Sequence, residues 1–124
     1  MSEDESAITK AVWTYLDGLH HGDAEKLASV FHPTSALTYE KGGALQILPR
    51  DQWLSDVRAR KSPAERGLAR HDSILQIDIA SEGMAFVKLN CAIPPSFFTD
   101  YLSFLKIEGQ WTVVQKVFRT DVRH

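Results

Sequence analysis

The fold is decided by a stretch near the end of the chain, residues 97–118, which runs FFTDYLSFLKIEGQWTVVQKVF. Apolar residues dominate both sides of Glu108-Gly109, and glycine supplies the positive φ that a two-residue hairpin turn demands. The stretch therefore predicts a long β-hairpin that turns at these two residues. Two charged residues, Asp100 and Lys116, interrupt the apolar runs. Charged residues in such apolar strands need a structural or functional explanation.

Both faces of the predicted hairpin are apolar. With a two-residue turn, Asp100 lies opposite Val117 and Tyr101 lies opposite Lys116. One face then carries Asp100, Leu102, Phe104, Trp111, Val113, Gln115 and Val117, and the other carries Tyr101, Ser103, Leu105, Ile107, Thr112, Val114, Lys116 and Phe118. If either face were exposed to solvent, it would present an unusually large apolar patch. We expect one face to line the core and a pocket and the other to meet a second copy of the chain in a homodimer. The pattern does not say which face does which.

Two helices are predicted near the start of the chain. Residues 6–22 carry an apolar stripe at helical spacing, and Gly22 ends the helix as a left-handed residue. Asp23 then caps a short second helix. That helix stops at His32-Pro33, because a residue before proline is pushed out of the helical region.

Short strands and a third helix follow. Residues 36–40 predict a strand, residues 41–43 a glycine turn, and residues 45–48 a brief return strand. Residues 49–51, Pro-Arg-Asp, open a third helix. Residues 58–67 have no apolar rhythm, and we expect an exposed loop or a frayed helix end.

From residue 70 the periodicity of the apolar residues changes to two, which is typical of strands. One face of the first strand carries His71, Ser73, Leu75, Ile77 and Ile79. A three-residue loop at 81–83 puts Ala85, Val87, Leu89, Cys91 and Ile93 on that same face. A two-residue loop would match apolar residues to polar ones, which sheet packing disfavours. Helices first and long antiparallel strands last indicate an α+β fold, with the helices covering one face of a strongly curved sheet.

Composition limits the possible functions. The chain has 124 residues, a formal net charge of −2 and one cysteine, Cys91, so residues 1–124 are expected to form one domain. No basic stripe is available to neutralise phosphates, which argues against nucleic acid. We find no stretch of about 20 apolar residues for a membrane span and no signal peptide. A single cysteine is typical of a reducing compartment, and we expect a soluble cytoplasmic protein.

Several local phrases cover almost the whole chain: residues 15–23, 31–33, 70–72, 91–95 and 99–118. They resemble the nuclear-transport-factor-2-like superfamily and, within it, the family labelled putative lumazine-binding. The resemblance implies a cystatin-like cone, in which a bent sheet wraps around three helices and opens at one end to an internal pocket. It also implies dimerisation through the outer, convex face of the sheet. The superfamily includes isomerases, dehydratases, polyketide cyclases and binding modules, so the fold alone does not choose a function.

Two residues are candidates for acid–base chemistry. Asp100, flanked by Leu102 and Phe104, is a candidate general acid or base. Its alternative role is structural, in an ion pair with Arg119 or as a cap on nearby backbone groups. His71 lies near a strand start, where the cone should open, and a neutral imidazole there can orient a ligand or move a proton. Its alternative is a hydrogen bond at the sheet edge.

The predicted ligand-binding residues are mainly aromatic. They are Tyr15, His32, Tyr39, Trp53, His71 and Asp100. Aromatic walls suit a planar ligand, although aromatic residues at regular spacing also build ordinary cores. The histidines show no ligand spacing for a metal, and no cofactor motif occurs, so neither a metal nor a cofactor is expected.

Three functions remain. The first is a small-molecule-binding domain with an internal, partly aromatic pocket. The second is a cofactor-independent isomerase, dehydratase or cyclase that uses Asp100 or His71 as its acid or base. A third possibility is a protein-interaction domain that uses the sheet only for assembly. The orientation of Asp100 separates the first two, because a base must point into the pocket.

Overall fold

The computed structural model describes residues 2–124 and contains three helices and one six-stranded sheet. The helices are α1 (Glu3–His21), α2 (Ala24–Val30) and α3 (Arg50–Ala59). The strands are β1 (Ala36–Lys41), β2 (Ala44–Pro49), β3 (Ser73–Ser81), β4 (Met84–Ile93), β5 (Ser96–Ile107) and β6 (Gln110–Val122). No helix in this part of the chain is long and apolar enough to cross a membrane.

Capping residues set the ends of the first two helices. The Ser2 hydroxyl accepts a hydrogen bond from the Glu5 N–H at 3.0 Å, so α1 begins three residues earlier than its apolar stripe predicts. Gly22 ends it at φ 64°, as predicted. The Asp23 carboxylate accepts hydrogen bonds from the first backbone amides of α2, which confirms the predicted cap.

The sheet is open and mixed, with strand order β2-β1-β6-β5-β4-β3. All neighbouring strands run antiparallel except β1 and β6, which are parallel. Buried residues from all three helices and from β1, β4, β5 and β6 form one core. The predicted α+β class and the helices-first order are therefore confirmed.

The long hairpin turns where the sequence predicts. Ile107 pairs with Gln110, and Glu108 and Gly109 both have positive φ, 50° and 81°, as a type I′ turn requires. The predicted register of its far half is wrong. Ser103 pairs with Gln115 and Phe104 with Val113, so Val114 is an extra residue in β6.

This β-bulge reverses the inward and outward sides of β6 beyond Val114. Asp100 lies opposite Phe118, Tyr101 opposite Val117, and Leu102 opposite Lys116. Lys116 is consequently buried on the inner face, and Val117 is 45% exposed. Asp100 and Lys116 therefore share the face that packs on the helices, whereas an unbulged register puts them on opposite faces.

The pairing of β3 with β4 is irregular at two points. Ile79 pairs with Ala85 as predicted, but the predicted three-residue loop is wrong: Ser81 pairs with Met84, so Glu82 and Gly83 alone form the turn and Ala80 is an extra residue of β3. The inner face of β4 is buried as expected. Farther along, Leu75 is the extra residue of a bulge and is 48% exposed. Ile74 takes its place against the core, so the predicted inner position of Leu75 is wrong.

The segment between α3 and β3 is less exposed than predicted. Ser62 and Pro63 are buried. The backbone N–H of Ala64 donates to the carbonyl of His20 at the end of α1, at 2.9 Å. The segment therefore packs against the end of α1 instead of lying free in solvent.

Candidate ligand-binding site

Three side chains form a polar group inside the core, which we call the buried cluster: Tyr15, Asp100 and Lys116. Asp100 has no exposed surface and Lys116 is 6% exposed. The Tyr15 hydroxyl donates to Asp100 Oδ2 at 2.5 Å, and Lys116 Nζ lies 3.8 Å from the same oxygen. An aspartate and a lysine buried this deeply normally require each other as counter-charges.

Each member of the buried cluster is brought inward by a different element. Tyr15 belongs to the apolar stripe of α1. Asp100 lies on the inner face of β5, in line with Leu102 and Phe104. Lys116 joins them because the bulge of β6 reverses its side. A regular strand would put this lysine on the outer face of the sheet.

Aromatic rings surround the Lys116 ammonium. Nζ lies 5.1 Å from the ring centre of Tyr15, 5.1 Å from that of Trp53 and 4.9 Å from that of Phe118. Ring faces attract a cation at these distances, most strongly where water is excluded. The rings and Asp100 together stabilise the charged amine inside the protein.

A cavity of about 180 Å³ lies beside the buried cluster, between the sheet and helices α1 and α3. Its lining is mostly apolar and aromatic, with three charged side chains. It consists of Leu19, Leu37, Tyr39, Leu48, Trp53, Asp56, Arg60, Cys91, Ile93, Phe98, Lys116 and Phe118. A largely apolar cavity with a few polar groups is the usual form of a small-molecule site.

Burial changes the titration of two groups next to the cavity. Burial, followed by the negative charge of Asp100, raises the pKa of the Tyr15 hydroxyl well above its ordinary value. Burial likewise raises the pKa of the Cys91 thiol, whose Sγ lies 3.7 Å from Asp100 Oδ2. Tyr15 thus keeps its proton at neutral pH and acts as a hydrogen-bond donor, and Cys91 is an inert thiol. Asp100 Oδ1 is buried and has no hydrogen-bond partner among residues 2–124.

The structure brings four of the predicted site residues together. Tyr39 and Trp53 line the cavity, and Tyr15 and Asp100 belong to the buried cluster beside it. The expected partner of Asp100, Arg119, is replaced in this role by Lys116. Asp100 faces the interior of the protein, but it is not one of the residues that line the cavity.

The two predicted histidines lie elsewhere. His71 is exposed and lies in a separate surface depression, with its ring centre 5.2 Å from that of Phe97 and the two rings tilted by 53°. His32 lies just beyond the end of α2, whose C-cap is Phe31, and its Nδ1 lies 2.8 Å from the Thr34 hydroxyl. Neither histidine lines the cavity that adjoins Asp100.

The sequence interpretation missed three charged residues of the site: Lys116, Asp56 and Arg60. Lys116 was visible as a charge inside an apolar run, but an unbulged register directs it outward. Asp56 and Arg60 look like ordinary surface residues of α3 and its end. Only the packing of α3 over the sheet brings them to the cavity.

Within residues 2–124, no group of three or more histidine, cysteine, aspartate or glutamate side chains lies close enough together to hold a metal ion. The side chains of the site offer an ammonium donor, a tyrosine hydroxyl and a carboxylate, all next to apolar walls.

The model of the family described as "Putative lumazine-binding" matches residues 3–119. The chain belongs to this family. A curated relative, named aldolase FrzH from a Cladobotryum species, is 24% identical over 98% of this chain and 95% of its own length. The family match confirms the resemblance to the putative lumazine-binding family that the sequence phrases indicate.

Solved structures of the nuclear-transport-factor-2-like (NTF2-like) kind share the fold. An NTF2-like protein of unknown function from Silicibacter pomeroyi superposes with a TM-score of 0.84, at 24% identity, over 98% of this chain and all of that chain. A ketosteroid isomerase-like protein from Erwinia carotovora atroseptica superposes with a TM-score of 0.74, at 13% identity, over 97% and 98% of the two chains. A Nostoc punctiforme domain with a cystatin-like fold gives 0.76 at 14% identity, over 98% of this chain and 80% of that one.

Proposed function

We propose that this member of the family is a small-molecule-binding domain whose ligand occupies the 180 Å³ cavity. The observation that carries the proposal is the ammonium of Lys116, which lines an apolar cavity. Tyr39, Trp53 and Phe118 provide aromatic walls for a planar, partly apolar ligand. The family description, with its reference to lumazine, also favours a ligand of this shape.

Stability does not account for the buried cluster. Replacing a buried ion pair by well-packed apolar residues is often neutral or stabilising, because desolvation offsets the attraction of the charges. The same face could carry leucine or valine at positions 100 and 116, as it does at Leu102 and Val113. A polar group next to a cavity is instead typical of sites that orient a ligand.

Ligand binding is tested by thermal unfolding with a panel of pterins, flavins, steroids and aromatic acids. A ligand that binds only the folded state raises Tm. Leu48→Trp fills the cavity and should abolish the shift. Ile47→Trp is the matched control, because Ile47 is the next residue of β2 and is 62% exposed, so its shift should equal that of the wild type. The proposal fails if no compound raises Tm, or if Leu48→Trp leaves the shift unchanged.

A second candidate function is a cofactor-independent enzyme in which Asp100 moves a proton. Its supporting observation is that Asp100 faces inward and contacts a tyrosine hydroxyl and a lysine ammonium. Two similar proteins carry enzyme-like names, an aldolase and a ketosteroid isomerase-like protein. His71 receives no role in this candidate, because it lies outside the cavity.

Asp100→Asn separates the two functions, since the amide keeps an acceptor for Tyr15 but cannot take a proton. An enzyme loses turnover by orders of magnitude while its ligand affinity changes little. A binding domain shows no turnover of any bound compound in either form. Turnover that survives Asp100→Asn removes Asp100 as the base.

The outer face of the sheet is the proposed homodimer surface. Several large apolar residues lie exposed on strands β4, β5 and β6. They are Met84, Tyr101, Leu105, Ile107 and Val117. Contiguous apolar surface of this kind favours contact with a partner. Sedimentation at micromolar concentration should give twice the mass of the chain, and a monomer mass would contradict the assignment.

The proposed location is the cytoplasm. The one cysteine, Cys91, is a free, buried thiol, and proteins of oxidising compartments more often pair their cysteines. Fractionation of cells that express the tagged chain tests this, and recovery in the culture medium would contradict it.

A further inference from the structure

Lys116 has more hydrogen-bonding capacity than its protein partners use. An ammonium group carries three N–H donors, yet Lys116 Nζ donates no hydrogen bond to any described residue. Its distance of 3.8 Å from Asp100 Oδ2 is an ion-pair contact and too long for a hydrogen bond. The three aromatic rings attract the charge but accept no ordinary hydrogen bond. The donors of Lys116 therefore call for an acceptor, and Lys116 lines the cavity.

The charges around the cavity suggest that this acceptor is neutral. Two cations, Lys116 and Arg60, are present with two carboxylates, Asp100 behind Lys116 and Asp56 beside Arg60. A ligand carboxylate on Lys116 would put a second anion next to Asp100 inside apolar walls. Burying an additional, unbalanced charge is strongly unfavourable. A neutral carbonyl oxygen accepts the same N–H without that cost.

We propose that the ligand of this cavity is a ketone or aldehyde on an apolar, ring-sized skeleton, whose carbonyl oxygen accepts a hydrogen bond from Lys116 Nζ. This inference rests on the proposed function, because it names the ligand class of the same site. The apolar lining holds the skeleton, and the ammonium fixes the oxygen. In the enzyme candidate, the same ammonium stabilises the negative oxygen that forms when a proton is removed next to the carbonyl.

The test uses three probes of nearly equal size: acetophenone, ethylbenzene and benzoate. Calorimetric titration of the wild type should give acetophenone an affinity on the order of tenfold above that of ethylbenzene, as a hydrogen bond to a charged donor typically supplies. Benzoate should bind more weakly than acetophenone. The carbonyl stretch of bound acetophenone should shift to lower frequency, because an ammonium donor polarises the C=O bond.

Lys116→Met keeps an unbranched, flexible side chain that is one atom shorter, and it removes the donors. In this variant the preference for acetophenone and the frequency shift should both disappear, while ethylbenzene still binds. If the single variant does not fold, Lys116→Met with Asp100→Asn removes both charges together and serves the same purpose. Lys88→Met is the matched control, because Lys88 also lies over a tyrosine ring, 5.8 Å from that of Tyr101, but does not line the cavity.

The outcomes separate this inference from the proposed function. Equal affinities for acetophenone and ethylbenzene in the wild type overturn the carbonyl assignment and leave a binding cavity. A preference that survives in Lys116→Met overturns the role of Lys116. Tighter binding of benzoate shows that the site selects an anion. Failure of all three probes and of the wider panel overturns the proposed function, and the inference with it.

Discussion

Two aspartates of this protein have the same kinds of partners in opposite surroundings. Asp4, in the first turn of α1, accepts a hydrogen bond from the Trp111 indole N–H at 2.9 Å. Its Oδ1 also lies 3.1 Å from Lys106 Nζ, and Lys106 lies over the Trp111 ring at 6.0 Å. This group, which we call the surface cluster, joins the start of α1 to the turn end of the long hairpin.

The buried cluster repeats this combination of an aspartate, a lysine and an aromatic ring in the middle part of the hairpin. Asp100 accepts from the Tyr15 hydroxyl and lies beside Lys116, which in turn lies over the Tyr15 ring. The side chains of the surface pair are 36% and 38% exposed, and those of the buried pair are 0% and 8% exposed. The main difference between the clusters is therefore access to water.

That difference separates a structural role from a functional one. An exposed ion pair adds little stability and has a small desolvation cost, because water screens its charges. A buried pair costs several kcal/mol of desolvation per ion and seldom repays it in stability. The surface cluster therefore needs no role beyond joining two elements, whereas the buried cluster, next to a cavity, is better explained by a ligand.

The largest expected effect comes from breaking the buried pair. Lys116→Met leaves Asp100 buried without its counter-charge and should lower the free energy of unfolding by about 3–5 kcal/mol. Adding Asp100→Asn should recover most of the lost free energy of unfolding, because no unpaired buried charge then remains. Urea unfolding of the single and double variants measures both effects. A double variant as unstable as the single one would show that packing, and not charge, is what Lys116 contributes.

Elements with local turn and cap chemistry were predictable from the sequence. Gly109 takes a positive φ that few other residues tolerate, and Asp23 caps α2 through its own neighbours. The turn at Gly109 and the cap at Asp23 each depend only on residues within four positions along the chain. The helix ends, the hairpin turn and the α+β order follow from such local rules.

The site was less predictable because a bulge creates it. Val114 is an ordinary strand residue, and no neighbouring glycine marks it as extra. The bulge depends on how β6 packs against β5 and the helices, which a single sequence does not contain. The sequence did contain one clue. In a regular hairpin Asp100 and Lys116 lie on opposite faces, so the two charges can form a buried ion pair only if a bulge brings them to the same face.

The next effect in size concerns the hydroxyl of Tyr15. Tyr15→Phe keeps the ring that packs on Lys116 but removes the donor to Asp100 Oδ2. An unsatisfied buried acceptor should lower the free energy of unfolding by about 1–3 kcal/mol at neutral pH. In the Asp100→Asn background the same change should cost less. Equal costs in both backgrounds would contradict coupling between the two side chains, as a double-mutant cycle in urea will show.

Alkaline pH distinguishes the clusters by titration. The pKa of Tyr15 is raised in the folded protein by burial and by Asp100, and that of Cys91 is also raised by burial. Above the ordinary values of about 9 for the thiol and about 10 for the hydroxyl, the unfolded chain loses protons that the folded chain keeps. Stability is therefore complete at neutral pH and falls as the pH rises through this range. Unfolding midpoints at pH 7 to 11 should decline less steeply in Tyr15→Phe than in the wild type, and identical slopes would exclude Tyr15 as a cause.

The smallest effect belongs to the surface cluster. Hydrogen bonds from Trp111 and Lys106 lower the pKa of Asp4 in the folded protein. The contribution of Asp4 to stability is therefore present above pH 3.8, the ordinary pKa of an aspartate, and is lost as the pH falls further. Asp4→Asn keeps an acceptor for Trp111 and removes the charge beside Lys106. Its urea midpoint at pH 7 should move less than that of any variant above, and the remaining difference should shrink in 1 M salt, where exposed charges are screened. A loss of stability as large as that of Lys116→Met, unchanged by salt, would mean that exposure to water does not distinguish the two clusters. Burial would then no longer indicate a functional role for the buried cluster.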